Sequence, residues 1–275
     1  MTHTPNSKSD GKTTVSPEGR LYAKFSDLSR LVSIATDEAG ICTVLMRDEA
    51  NRNAFSERFV EELRECLDGA ADDLSVKAVI LRGLPDVFAA GATREMLGRL
   101  ARGEIPPTDI VLTKSLLDVP VPTIAALEGH ATGGGLALGF AADIIVCAKE
   151  SRYGASFMNM GFTPGMGITS LLEHALSPAV AHEMLFTGEF RKGSELGSRG
   201  GINHVLPRAS VLSKAYDIAS QIAEKPRRSL ELLKRTLSVT RRKKFEESRT
   251  VESLMHAITF SQSDIVERIE RDYVE

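Results

Sequence analysis

Gly129-His-Ala-Thr-Gly-Gly-Gly135, running on into Leu136-Ala-Leu-Gly-Phe-Ala-Ala142, is the stretch that decides how this chain is read. Three consecutive glycines lie between a strand-like run, Thr123 to Leu127, and an apolar helical run, roughly Gly135 to Ala142. Glycine lets main-chain amides approach a ligand closely, and the helix that follows points its positive end at whatever binds there. The segment reads as an anion-stabilising site made of backbone. It lacks the Gly-Lys-Ser/Thr ending of a P-loop and misses the Gly-x-Gly-x-x-Gly spacing, which argues against nucleotide binding. Taken alone, it fits equally well a set of glycines that only allow a helix to pack tightly on a strand.

Working outward, Phe88-Ala-Ala-Gly-Ala92 lies upstream, and Asp143-Ile-Ile-Val-Cys147 and Gly161-Phe-Thr-Pro-Gly-Met-Gly167 lie downstream. Leu31 to Ala35 and Ile41 to Leu45 read as paired strands around the turn Asp37-Glu-Ala-Gly40. Ser56 to Ala71 reads as an amphipathic helix opened by a serine cap, and Val76 to Leu81 and Ile144 to Cys147 as further strands. Helical patterns occupy Thr108 to Leu117, Ala179 to Phe186 after Pro178, and Ala209 to Tyr273 with a break near Pro226. No internal repeat is visible in the letters.

In their order and spacing, these segments resemble the crotonase superfamily, from roughly Lys24 to Tyr273. The resemblance implies an α/β crotonase fold of repeated ββα superhelical units with a C-terminal helical trimerisation region. Its expected divisions are a disordered tail over 1–19, a catalytic core over 20–207 and the helical region over 208–275. It also implies that two backbone amides, those of Ala92 and Gly134, hold a thioester oxygen, and such preorganised donors stabilise an enolate as charge develops. Hydratases of the superfamily add two glutamates, and their positions fall on Ala137 and Phe157. Hydration needs a base to activate water and an acid to protonate carbon, and neither residue can serve.

A pocket without carboxylates suits a substrate that brings its own. Tyr153 to Gly167, with Leu254-Met-His256 near the end, resembles the decarboxylating enoyl-hydratase homologues of polyketide β-branching cassettes. The resemblance implies conversion of a 3-methylglutaconyl group on an acyl carrier protein into 3-methylcrotonyl. It places the catalytic histidine at His256, a proton donor to the dienolate. No cofactor is expected beyond the phosphopantetheine or CoA that carries the acyl group, and no metal, since the histidines show no ligand spacing with each other or with cysteine. Phe157, Met158 and Met160 are expected to keep the site dry. Arg94 and Arg99, ahead of Arg102, are candidates to hold the substrate carboxylate, in a segment, Thr93 to Pro107, that reads as a mobile lid. Of the acids nearby, Asp143 reads as structural, while Glu128 and Glu173 match no family acid; His130 reads as a packing or hydrogen-bonding residue.

Composition bounds these expectations. The 275 residues carry a formal charge of −3, which argues against bulk electrostatic binding to nucleic acid or an acidic membrane. Cys42, Cys66 and Cys147, odd in number and widely spaced, read as buried reduced thiols in a cytoplasmic protein. No apolar stretch reaches the roughly 18 residues of a membrane span. Lys225 to Lys244 holds nine Lys or Arg and a single acid, Glu231, a surface suited to steering an acidic carrier protein to a homotrimer or hexamer. The rival readings are an isomerase or hydratase with a nonstandard base, and a non-catalytic crotonase-fold protein that binds an acyl carrier or RNA.

Overall fold

The computed structural model describes residues 29–106, 112–199 and 201–273, so the expected tail and the start of the helix placed from Thr108 lie outside the described residues. The chain opens with β1 (Val32–Thr36) and β2 (Ile41–Met46), an antiparallel pair whose turn is fixed by the Asp37 carboxylate accepting from the amides of Ala39 and Ile41, both at 2.9 Å. After β3 (Ala54–Phe55), the Ser56 hydroxyl accepts from Phe59 N–H at 3.3 Å and starts α1 (Glu57–Asp72). The inward residues of α1, Phe59, Leu63, Cys66, Leu67 and Ala70, recur at helical spacing, and all are buried.

Four strands continue the main sheet: β4 (Ala78–Arg82), β7 (Thr123–Leu127), β9 (Ile144–Ala148) and β12 (His204–Leu206). The sheet order is β1-β2-β4-β7-β9-β12, parallel from β2 onward. A smaller sheet is formed by β5 (Val87–Ala89), β8 (His130–Thr132), β10 (Arg152–Gly154) and β11 (Phe190–Lys192), while β6 (Gly91–Ala92) pairs with β3. Helices α2 (Arg94–Ala101), α3 (Leu112–Asp118), α4 (Gly134–Phe140), α5 (Ile168–Ala175), α6 (Pro178–Thr187) and α7 (Gly193–Arg199) fill the connections. The chain closes with α8 (Val211–Ala223), α9 (Arg227–Thr259) and α10 (Ile265–Asp272).

Both faces of the inner strands of the main sheet are covered, so these strands are predominantly apolar, whereas the edge strands β1 and β12 are partly exposed. Val79, Leu81, Ala125, Leu127 and Cys147 face the central core, whereas Ala78, Ile80, Ile124, Ala126 and Val146 meet Val211, Leu212, Ala215 and Ala219 of α8. Helix α8 thus packs on one face of the main sheet. Asp143, at the head of β9, ties α9 down: it pairs with Lys234 at 2.8 Å and Arg241 at 2.5 Å, and accepts from Thr123 N–H at 2.8 Å.

Much of the basic run 225–244 therefore stabilises the fold. Lys234 and Arg241 are buried against Asp143, Arg227 donates to the carbonyls of Asp73 and Val76, and Arg242 pairs with Asp118 at 2.9 Å. The inward cations hold the helix in place, whereas Lys225, Arg228, Arg235, Lys243 and Lys244 are exposed and remain on the surface of the basic run. Within the segment expected to be a lid, Arg94–Ala101 is helical: the Thr93 hydroxyl accepts from Met96 N–H at 3.1 Å, and Met96, Leu97 and Leu100 are buried.

Candidate active site

The two glycine motifs meet main chain to main chain. Gly91 has φ +86°, and a Cβ there would lie 2.9 Å from the Thr132 carbonyl oxygen and 3.1 Å from the Gly134 nitrogen. Gly133 N–H donates to the Gly154 carbonyl at 2.8 Å, and the chain then turns into α4 at Gly134. A Cβ on Gly134 would lie 2.8 Å from Met166 Sδ and 3.0 Å from Phe55 Cε2, and one on Gly135 would collide with the Ala89 carbonyl oxygen. Gly91→Ala should therefore push the Gly134 amide out of line and lower kcat about 10²- to 10³-fold, the loss typical of one oxyanion donor, with KM little changed. Steady-state kinetics of the folded variant would check it, and an unchanged kcat would remove these amides from the mechanism.

Ala92 and Gly134 border a cavity of about 90 Å³ together with Phe157, Met160 and His256. Its remaining walls include Leu97, Leu100, Phe162 and Phe260, so the interior is largely apolar. His256 is 9% exposed and stands edge-on to Phe162 and Phe260. Gly165 lets the ring approach, since a Cβ there would run into the imidazole Cε1. The Nε2 atom is 2.7 Å from the Thr163 carbonyl oxygen, an acceptor, so Nε2 carries the proton and donates. Nδ1 is left as the ring nitrogen able to exchange a proton with a bound group. Burial holds the imidazole below its ordinary pKa, and the bond to Thr163 offsets this only in part.

A second, more polar cleft of about 630 Å³ meets this cavity at Ala90 and Tyr273. Arg52, Arg58, Arg94 and Arg99 border it with Glu57 and Glu95. Arg94 lies over the Tyr273 ring, 5.2 Å from its centroid, and 3.8 Å from Glu270; Arg99 pairs with Glu57 and, at 3.7 Å, with Glu104. Arg102 pairs with Glu104 at 2.5 Å.

The structure thus brings Ala92, Gly134, Phe157, Met160 and His256 to one cavity but leaves Arg94, Arg99 and Met158 elsewhere. Arg94 and Arg99 face the outer cleft, because α2 turns its apolar side inward. Met158 is 41% exposed on a 3-10 turn, Ser156–Met160, whose inward positions fall to Ser156 and Phe157, with Met160 half-buried. Ala137 is fully buried in α4 and is not among the cavity walls.

Of the acids weighed, Glu128 pairs with Arg82 at 3.2 Å, Glu173 with His182 at 2.6 Å, and Asp143 with α9. The Nδ1 of His130 accepts from Arg152 N–H at 2.8 Å, a hydrogen-bonding role. All three cysteines are buried, and burial pushes the Cys147 and Cys42 thiols up to about 12 and Cys66 to about 11, which leaves them unreactive.

Three contributors escaped the sequence reading. The buried Glu252 carboxylate accepts from Gly167 N–H at 2.5 Å and from Thr169 N–H at 2.9 Å, fastening α9 to the Gly161–Gly167 loop one helical turn before His256. The i, i+4 spacing of Glu252 and His256 was the available signal. Tyr273 donates its hydroxyl to the Ala92 carbonyl at 3.1 Å, where the two cavities meet. Asp272, the one carboxylate bordering the inner cavity among the described residues, is held by Arg271 at 2.7 Å.

Comparison with known proteins agrees with this geometry. The enoyl-CoA hydratase/isomerase family profile matches residues 36–275. The bacillaene synthase decarboxylase PksI of Bacillus subtilis is 38% identical over 243 residues, covering 88% of this chain and 98% of PksI. Among solved structures, the ECH2 decarboxylase domain of CurF from Lyngbya majuscula has a TM-score of 0.83 at 39% identity, covering 88% of this chain and 99% of that domain. A structure from a dehydratase/decarboxylase enzyme couple involved in polyketide β-branching superposes with a TM-score of 0.86 at 38% identity, over 89% of this chain and all of that one. With its paired glycine motifs and a family match running from β1 to the C-terminus, this chain belongs to the enoyl-CoA hydratase/isomerase family, the crotonase superfamily.

Proposed function

We propose that this protein decarboxylates a 3-methylglutaconyl-type thioester on an acyl carrier protein to the 3-methylcrotonyl group in polyketide β-branching. The observation that carries this reading is a cavity that joins two oxyanion amides to one imidazole and apolar walls, with Phe157 where a hydratase places a glutamate. The decarboxylases PksI and CurF ECH2, similar over nearly the whole chain, support it.

In the reaction, the bond between C4 and the distal carboxylate breaks, and its electron pair passes through the C2–C3 double bond to the thioester oxygen. The Ala92 and Gly134 amides stabilise that oxygen as the dienolate forms. Carbon dioxide leaves, and His256 Nδ1 delivers a proton to the dienolate. The dry walls favour loss of the charged carboxylate, since no water competes to solvate it.

The outer cleft suits the phosphopantetheine arm, and its arginines provide the positive field an acidic carrier protein would meet. Assembly as a homotrimer is supported by apolar residues left exposed along α9, among them Leu237, Leu254 and Ile258. The isomerase reading requires a base. Asp272 is a poor one, because its hydrogen bond from Arg271 holds the carboxyl below its usual range.

Offered a crotonyl thioester, the protein should return it unhydrated. Hydration that co-purifies with this chain and disappears in Gly91→Ala would replace the decarboxylase by a hydratase.

A further inference from the structure

We infer that the Ser156 hydroxyl is a specificity-determining contact for the substrate's carboxylate, a role that rests on the decarboxylase reading above. Ser156 opens the 3-10 turn after β10, is 8% exposed and borders the inner cavity beside the oxyanion loop. Its Oγ would lie 3.7 Å from a Cβ placed on Gly133. Among the described residues no protein group pairs with that hydroxyl. The residue is largely buried, but its hydroxyl is not sealed in the core: it opens on the cavity without a protein partner, so a bound ligand is the group that can pair with it.

The neighbouring donors are engaged elsewhere. The Asn159 amide donates to the Gly188 carbonyl at 3.1 Å, Tyr273 to the Ala92 carbonyl, and His256 Nε2 to the Thr163 carbonyl. Thr132 borders the cavity too but is only half-buried. The thioester oxygen has the Ala92 and Gly134 amides, whereas the distal carboxylate would otherwise meet leucine and phenylalanine walls with His256 as its one charged partner. Ser156 supplies the second donor. It holds the carboxylate without neutralising it, so the charge that drives carbon dioxide loss is kept. Once carbon dioxide has left, the serine has no ionic partner and the product is held less tightly.

The test compares two unreactive pantetheine thioesters that differ only in the carboxylate, 3-methylglutaryl-pantetheine and isovaleryl-pantetheine, by calorimetric binding to wild type, Ser156→Ala and Ser156→Cys. Both variants should lose about ten- to a hundredfold in affinity for the carboxylated ligand and little for the other, as expected for a hydrogen bond to a charged group. Melting temperatures should stay level or rise in Ser156→Ala, because the hydroxyl that leaves was unpaired. A ratio of affinities equal to that of wild type would overturn the assignment, as would equal loss of both ligands together with a lower melting temperature. Retention of the ratio in Ser156→Cys but not in Ser156→Ala would also overturn it, since it would identify a packing effect. Carbon dioxide release by wild type from 3-methylglutaconyl-pantetheine, measured alongside, judges the decarboxylase reading separately from the serine.

Discussion

Replacing His256 by alanine is expected to lower turnover about 10²- to 10⁴-fold, the range for a lost general acid, while thioester binding largely survives. The imidazole and the oxyanion amides border one cavity, yet they are held by different elements: His256 by α9, Ala92 by β6 and Gly134 by α4. Solvent can still protonate the dienolate, so residual turnover should come with an altered proportion of α,β- and β,γ-unsaturated product. Full activity with an unchanged product ratio in the folded variant would reduce His256 to packing between Phe162 and Phe260.

The pH profile should carry the same signature. Burial keeps the free imidazole below its ordinary pKa, so above that value His256 is neutral and must gain a proton as the carboxylated substrate binds. kcat/KM, which reports the free enzyme, should fall about tenfold per pH unit once pH exceeds the lowered pKa. kcat should hold to higher pH, because the bound carboxylate favours the imidazolium. A wild-type kcat/KM profile identical to that of His256→Ala would contradict this assignment.

Asp143→Asn should destabilise the fold by about 3–5 kcal/mol, because removing one partner leaves Lys234 and Arg241 buried without their counter-charge. Denaturant unfolding should show a lower midpoint at an unchanged slope. The pH dependence has a definite sign. Burial pushes the carboxyl up, but Lys234 and Arg241 more than reverse it, so the folded pKa lies below the unfolded one. The stabilisation is then present above the unfolded carboxylate pKa and is lost as pH falls through the folded value. A loss below about 1 kcal/mol, typical of an exposed ion pair, would show that β9 and α9 are held by packing alone.

The meeting of the two glycine motifs was legible in the sequence because each glycine there answers to a specific close approach: Gly91 to Gly134, Gly134 to Met166, Gly135 to Ala89. Five of the six strands of the main sheet, all but the three-residue β12, were legible for a similarly local reason, since burial on both faces leaves continuous apolar runs such as Thr123–Leu127. The short strands of the second sheet were not, because β5, β8, β10 and β11 have three residues each, too few for a period to appear.

Helix α9 misled in a different way. Its inward stripe includes Lys234, Ser238, Arg241, Glu252 and His256, while Leu237, Leu254 and Ile258 are exposed. Polarity alone therefore does not give its orientation, and two cations of the basic run, Lys234 and Arg241, hold the helix to Asp143. The arginines after Ala92 were assigned to the carboxylate by their nearness in sequence. One turn of α2 is enough to send Arg94 and Arg99 to the outer cleft, whereas Ser156, far away in sequence, borders the acyl cavity.

The most direct test of the account is the fate of a label placed in the distal carboxylate of a 3-methylglutaconyl group on its carrier protein. With catalytic amounts of this protein, the label should leave as carbon dioxide at a rate proportional to enzyme, and the carrier should retain an unlabelled 3-methylcrotonyl group. Retention of the label on the carrier, with water added across the double bond or with the double bond merely moved, would contradict a main-chain oxyanion frame built for decarboxylation.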